Sequence, residues 1–312
     1  MENARFKPLE YVFWVCTLLP FIVTPAYLSL ASQIAITALF ALSLDLILGY
    51  AGLVSLGHAA FFGVGAYTAG LIAKHYWAEP LSGLVVAAVA AGIAGYVLSH
   101  VIVRFRHLAL IMLTMGFGLL LFEAANSASD LTGGADGLQG FRVPGVLGFK
   151  FDMFGRTAYA YSLVVLFLCF LVARRVIHSP FGLALRGIRE NAVRMPAIGA
   201  PNLAHLRKAY TIAAVMAGIA GAVLTHTTST VSLETLSFGR SADVLVILIL
   251  GGVGRLYGGI VGAIIYMVAR DQFSGVNPQY WYFWIGLLLV AVVMFLPNGI
   301  LGGLSALRKK PK

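Results

Sequence analysis

Residues 178–208 read HSPFGLALRGIRENAVRMPAIGAPNLAHLRK and form a polar island between long apolar runs. Together with Arg174 and Arg175 just before them, they carry seven lysine and arginine residues. Basic loops of membrane proteins lie on the cytoplasmic side, because Lys and Arg resist translocation. The stretch is therefore predicted to be a cytoplasmic loop, and it sets the orientation of the segments on either side.

A short amphipathic helix is predicted within this loop, over residues 180–191. Ser179 can cap it, and Pro180 suits the first helical position, where a missing N–H costs nothing. The apolar residues that share one face are Phe181, Leu185 and Ile188. The charged residues that lie off this face are Arg186, Arg189 and Glu190. The apolar face is predicted to contact another protein; the alternative is a helix lying on the bilayer surface.

The composition is that of an integral membrane protein. Hydrophobic residues make up 60% of the chain and charged residues only 11%, with a mean hydropathy of +0.89. A soluble domain is about 25% charged. The net charge of +10 does not indicate nucleic-acid binding, because the basic residues are spread between apolar segments. Cys16 and Cys169 both fall in apolar runs, so neither a disulfide framework nor a metal site is expected.

The apolar runs predict an all-α, polytopic transmembrane bundle, a single domain over residues 1–312 with eight to ten spans. The candidate spans are residues 11–30, 31–48, 57–74, 82–103, 108–128, 159–177, 208–228, 241–254, 258–272 and 282–302. The first is interpreted as an uncleaved helix rather than a signal peptide, since more spans follow it. With both termini inside, sixteen of the 22 lysine and arginine residues are cytoplasmic, and the loop 129–158 is periplasmic.

The stretch GYAGLVSLGHAAFFGVGAYTAG at 49–70 combines glycine with other small residues. Small residues let membrane helices approach closely. Gly49 and Gly52 indicate a break or re-entrant turn, which is tolerated at membrane depth only where it is buried in protein or lines a cavity. The candidates for close packing or for lining a path are Ser55, His58, Gly63 and Gly65.

The outer loop 129–158 has strong turn signals at Gly133-Gly134 and Asp136-Gly137. A loop of this length is either a plain connector or a functional surface. The residues predicted to dock a partner, if it is functional, are Thr132, Gly133, Gly134 and Asp136.

No catalytic constellation is found. The chain has no H-E-x-x-H, no C-x-x-C and no G-x-x-x-x-G-K-[ST] phosphate loop, so it is expected to be neither an enzyme nor an ATP-hydrolysing chain. The acidic residues within candidate spans include Asp45, Glu123 and Asp243. Intramembrane carboxylates are usually functional, but each of these is near a span end, where it can reach water or cap a helix.

Four segments together resemble the permease subunits of bacterial branched-chain amino-acid ABC importers. They are residues 49–70, LTGGADGL at 131–138, FGLALRGIRENAVRMPAIG at 181–199 and LGGVGRLYGGIVGA at 250–263. The last segment departs from the family pattern at Gly259, where proline is common. The resemblance runs in unchanged order from about residue 30 to 302 and is strongest to the second, M-type permease.

This resemblance implies a multi-pass subunit of the bacterial inner (plasma) membrane that forms the translocation path for branched-chain or related amino acids. The implied partners are a second permease, two cytoplasmic ATPase subunits that bind ATP and Mg, and a periplasmic solute-binding protein. No cofactor in this chain and no nucleic-acid partner are expected. Loop 178–208 corresponds to the region that contacts the ATPase, and loop 129–158 would dock the binding protein.

Other functions stay open at the level of sequence. One is a permease of the same family for urea or other amides. Another is an ion-coupled secondary transporter with Asp45 or Glu123 as the proton or sodium site. A third is a structural membrane subunit without a substrate path.

Overall fold

The computed structural model describes residues 8–146, 148–152, 155–296 and 298–308, and these are mostly helical. Among them, β-structure is limited to two isolated bridges, Leu138 with Val231 and Val146 with Phe149. In chain order the α-helices of the described residues are α1 (Pro8–Cys16), α2 (Pro20–Val23), α3 (Leu28–Asp45), α4 (Ala59–His75), α5 (Pro80–Ile102), α6 (Leu108–Ser127), α7 (Ser129–Thr132), α8 (Arg156–Ile177), α9 (Pro180–Glu190), α10 (Arg194–Ala197), α11 (Asn202–Thr228), α12 (Phe238–Gly251), α13 (Gly258–Val276), α14 (Trp281–Phe295) and α15 (Gly299–Arg308).

Six helical segments of the described chain are long and apolar enough to cross a membrane. They are Pro25–Tyr50, Pro80–Ile102, Leu108–Ser127, Arg156–Ile177, Asn202–Thr228 and Trp281–Gly303. The shorter helices α4, α12 and α13 coincide with the predicted spans 57–74, 241–254 and 258–272. The structure therefore confirms an all-helical protein with several membrane-spanning segments, while the count of ten and the orientation of the termini stay predictions.

The predicted first span, residues 11–30, is not one continuous α-helix. Helix α1 ends at Cys16, α2 begins at Pro20, and a 3₁₀ turn follows at Pro25–Tyr27. Between α1 and α2 the hydrogen bonds are the tighter three-residue type, as from the N–H of Leu18 to the carbonyl of Val15 (3.0 Å). Proline supplies no N–H and clashes with the preceding turn, so two prolines interrupt the helix that hydropathy alone predicts.

Helices α3 and α11 form the centre of the bundle, and α5 and α6 lie at its periphery. The packing of α11 against α4 and α5 depends on residues without bulk. A side chain at Gly65 would overlap the backbone of Gly218 in α11, and one at Gly218 would overlap Ala91 of α5. Backbones approach this closely only where glycine or alanine stands at the contact.

Two glycine-rich breaks meet at one end of the bundle. Helix α3 continues into a π-helical turn, Leu46–Tyr50, and residues 51–58 are irregular although several are buried, which confirms the predicted break. Helix α12 ends at Gly251, and Gly254 has a φ of +75°, a conformation that favours glycine. A side chain at Gly49 would overlap Gly254, so the two breaks are in direct contact.

The loops 129–158 and 178–208 lie at opposite ends of α3. Gly155 packs against Ser29 at the start of this helix, whereas Arg189 contacts Gly49 at the far end of its π-helical turn. The segment Leu28–Tyr50 is about 34 Å long at 1.5 Å per residue, which matches the thickness of a bilayer core. The two loops are thus separated by the depth of the membrane.

Candidate coupling site

Helix α9 forms as its sequence predicts. The side chain of Ser179 accepts a hydrogen bond from the N–H of Gly182 at 3.4 Å, and Pro180 occupies the first helical position. The helix ends at Glu190 because the next residue, Asn191, has an extended backbone. The side-chain oxygen of Asn191 then accepts hydrogen bonds from the N–H groups of Val193 and Arg194, at 3.1 Å each, and turns the chain.

The apolar stripe of α9 faces the protein's own core, which corrects the expectation that it is offered to a partner. Leu185 is 1% exposed and Ile188 is 4% exposed. Phe181 is half-buried and stacks on the ring of His205 in α11, with 5.7 Å between centroids. Hydrophobic periodicity shows which face of a helix is buried but not what covers it; here α8, α11 and the π-helical turn do so.

The opposite face of α9 is open. Leu183 is 63% exposed, and Arg186 and Glu190 beside it are also exposed. The segment that follows adds Val193 at 83% exposure and Ile198 at 74%. We call these five residues the outer face of the coupling loop. Sequence reasoning missed the apolar residues of this face, Leu183, Val193 and Ile198, because they lie off the α9 stripe. The position of Leu183 on the charged side of the helix could have indicated it.

The arginines of α9 connect the helix to the end of α3. The Nη1 group of Arg189 donates a hydrogen bond to the carbonyl of Gly49. The guanidinium of Arg186 lies over the ring of Tyr50, 5.3 Å from its centroid. Both contacts are made to the π-helical turn, where the backbone leaves the regular α-helical pattern and exposes carbonyl groups. Arg186 and Arg189 thus bridge α9 and the end of α3.

Asp45 extends this connection to α12. Its side chain is 1% exposed, and Oδ1 accepts a hydrogen bond from the N–H of Gly254 at 2.7 Å. A buried polar group is costly unless it is hydrogen-bonded, and this bond fixes the turn after α12 to the last turn of α3. The contacts Arg189–Gly49 and Asp45–Gly254 together link a surface helix to two helices of the bundle.

Comparison with known proteins assigns the chain to a family. The family model described as "Branched-chain amino acid transport system / permease component" matches residues 26–293. The chain belongs to this family. The permease is 29% identical to the high-affinity branched-chain amino acid transport system permease protein LivM of Salmonella typhimurium, over 90% of this chain and 71% of the relative.

Other relatives agree with this assignment. The LivM protein of Escherichia coli is 28% identical over 90% of this chain and 71% of its own length. The probable branched-chain amino acid transport permease protein LivM of Methanocaldococcus jannaschii is 24% identical, over 83% of this chain and 88% of the relative. No solved structure matches the permease.

Ser55 and His58 of the permease lie in the irregular segment before α4 and not on a helix. Both are buried, at 1% and 0% exposure. The Nε2 atom of His58 is 2.8 Å from the hydroxyl of Ser43, and its ring stacks on Phe40 with 5.6 Å between centroids. His58 thus links the break to α3.

Gly63 and Gly65 of the permease both make close approaches. A side chain at Gly63 would overlap Leu236, in the 3₁₀ turn Leu233–Leu236, and one at Gly65 would overlap the backbone of α11. These are packing contacts within the chain. A role for either glycine in lining the path stays a prediction.

The outer loop of the permease is fixed by two of its predicted docking residues. Thr132 is 7% exposed; its hydroxyl bonds to the carbonyl of Ala128 at 2.8 Å and accepts from the N–H of Gly134 at 3.2 Å. Gly134 is buried as well, so neither Thr132 nor Gly134 is available to a partner, contrary to expectation. Gly133 has a φ of +80°, and Asp136 is exposed. Only Asp136 among the four presents an open side chain.

Proposed function

We propose that this permease forms the translocation path for branched-chain amino acids in an inner-membrane importer, driven by separate ATPase subunits. The membership of the family and the LivM relatives support the solute class. The proposed mechanism is based on the position of α9, which packs against the bundle on one face and is exposed on the other. An ATPase subunit docks on the outer face of the coupling loop.

In this mechanism the ATPase moves α9 and α9 moves the bundle. Burial of Leu185 and Ile188 keeps the helix seated on the permease, so a force on Leu183 and Glu190 is passed inward rather than peeling the helix away. The hydrogen bond from Arg189 carries the displacement to Gly49. Contacts of this kind transmit a change only as a continuous physical chain, and the contact of Asp45 with Gly254 continues the chain to α12.

The partners proposed for the working importer are a second permease, two ATPase subunits that hold ATP and Mg, and a periplasmic binding protein that meets the outer loop around Asp136. The decisive experiment reconstitutes these chains in proteoliposomes and measures uptake of radiolabelled L-leucine, L-isoleucine and L-valine. ATP-dependent uptake is expected, with loss of uptake when the ATPase subunits cannot hydrolyse ATP and no effect of a protonophore.

The same experiment separates the alternatives. Uptake of urea or a neutral amide with no uptake of L-leucine would replace the proposed solute. Uptake that continues without ATP hydrolysis but stops when the ion gradient is dissipated would replace the ATP-driven mechanism with an ion-coupled one.

A further inference from the structure

A polar cavity of about 180 Å³ lies at the end of the bundle opposite to α9. It is lined by the first half of α3, the end of α11, the 3₁₀ turn Leu233–Leu236, the start of α12 and the end of α13. In the predicted orientation this end faces the periplasm, from which the solute arrives. A cavity of about 150 Å³ can hold benzene, so this one has room for a small organic molecule.

The walls of the cavity carry charges of both signs. Arg240 and Arg270 enter from two different helices, and Glu234 enters from the turn between α11 and α12. Among the described residues, no carboxylate lies within ion-pair distance of either guanidinium. Arg240 instead interacts at longer range with Glu234, Asp243 and Arg270. Two neighbouring guanidinium groups without an ion-pair partner are suited to bind an anionic group.

Both guanidinium groups are held in place by aromatic rings. Arg240 lies over Phe62 at 5.4 Å from the ring centroid, and Arg270 lies over Trp281 at 5.0 Å. Stacking on a ring orients the planar group and leaves its N–H groups free to point elsewhere. Asp243, which also interacts with Arg240 at longer range, accepts a hydrogen bond from the hydroxyl of Tyr266 at 2.7 Å.

The rest of the cavity wall combines three apolar side chains with four uncharged polar ones, Gln33, Thr37, Ser232 and Thr235. Ile36, Leu224 and Met267 line it beside the charged residues. Flexible methionine and branched aliphatic side chains adapt to apolar groups of varied shape. The cavity thus combines two guanidinium groups, a carboxylate and a small apolar patch, which together complement a zwitterion with an aliphatic side chain. Urea can hydrogen-bond to the polar groups, but it has no charges to pair with the guanidinium and carboxylate groups and no aliphatic part to place against the apolar patch.

We propose that this cavity is a solute-binding site of the permease itself, where Arg240 and Arg270 bind the α-carboxylate of a branched-chain amino acid and Glu234 binds its α-ammonium group. The aliphatic side chain of the solute packs against Ile36, Leu224 and Met267. The identity of the occupant rests on the function proposed above. The site receives the solute at the outer mouth before the path opens inward.

The test uses the complete importer in proteoliposomes and measures uptake of radiolabelled L-leucine. Arg270→Gln and Glu234→Gln are each expected to lower the maximal rate at least tenfold, because each removes a charge-assisted hydrogen bond. The KM is expected to change less than about twofold, since delivery by the binding protein sets it. Arg270→Lys should recover part of the rate, because an ammonium keeps the charge but loses the fork geometry.

The matched control is Arg142→Gln, which removes an exposed positive charge from the outer loop and is expected to transport at the wild-type rate. Glu234 is exposed on a turn, so Glu234→Gln is expected to fold and assemble. It tests the cavity site if an arginine variant fails to assemble. Wild-type rates in assembled Arg270→Gln and Glu234→Gln complexes would overturn the cavity site alone. A wild-type importer that takes up no L-leucine would overturn the proposed function, and with it the proposed occupant.

Discussion

The two leucines of α9 provide a direct test of which face of the coupling helix meets the ATPase. Leu185 is 1% exposed, and its replacement by Asp loses about 1.5–3 kcal/mol of apolar burial and adds the larger cost of an unpaired buried carboxylate. The total cost exceeds about 3 kcal/mol. It shifts the equilibrium between packed and detached α9 more than a hundredfold towards the detached form. We therefore expect Leu185→Asp to destabilise the permease.

Leu183→Asp is expected to behave differently. Leu183 is 63% exposed in the permease, so docking can bury that fraction of a leucine, worth about 1–2 kcal/mol. Loss of this apolar contact should weaken ATPase binding about 5- to 25-fold, while the stability of the permease is unchanged. The assays are thermal unfolding of the purified permease and titration of the ATPase onto each variant, with solute-stimulated ATP hydrolysis as the functional readout.

Either of two results would refute this reasoning. A Leu185→Asp permease that unfolds at the wild-type temperature would show that the stripe is not buried in the permease core. A Leu183→Asp permease that binds the ATPase with wild-type affinity would show that the outer face of the coupling loop is not the docking surface.

Three further predictions concern packing, coupling and topology. Gly65→Leu should lower the unfolding temperature, because overpacking against α11 costs about 1–3 kcal/mol, whereas Gly116→Leu should not, since Gly116 has open space around it. Arg189→Gln should lower uptake several-fold while ATP hydrolysis persists, because the bond to the end of α3 is lost. A cysteine at Ala135 should react with an impermeant thiol reagent in whole cells, and one at Val193 only in opened membranes, as the basic loops predict.

Each of these has a result that contradicts it. Equal unfolding temperatures for the two glycine variants would mean that α4 and α11 are not tightly packed at Gly65. Uptake and hydrolysis that fall in parallel in Arg189→Gln would indicate lost docking rather than lost transmission; Arg194→Gln, from the same loop, is the control. Labelling at Val193 with protection at Ala135 would show that the membrane orientation is the reverse of the predicted one. The thiol experiment needs replacement of Cys16 and Cys169 first.

The amino-acid sequence by itself determined the class and the local structure of this protein. The apolar runs specified a helical membrane protein, because unpaired backbone groups cannot be left in hydrocarbon. Ser179 and Pro180 specified the start of α9, and Gly49 and Gly52 specified the break after α3. These features depend on residues a few positions apart, so a linear pattern contains them. Proline at positions 20 and 25 was an equally local signal that the hydropathy average concealed.

Only the tertiary structure decided what each face and each charge meets. The pair Arg189 and Gly49 is 140 residues apart in sequence, and the pair Asp45 and Gly254 is 209 apart. Arg240 and Arg270 meet in one cavity although they belong to different helices. Periodicity marked the apolar side of α9, but the permease core and a partner protein bury a leucine equally well. Which of them does so depends on the packing of helices distant in the chain, and local pattern carries no information about that packing.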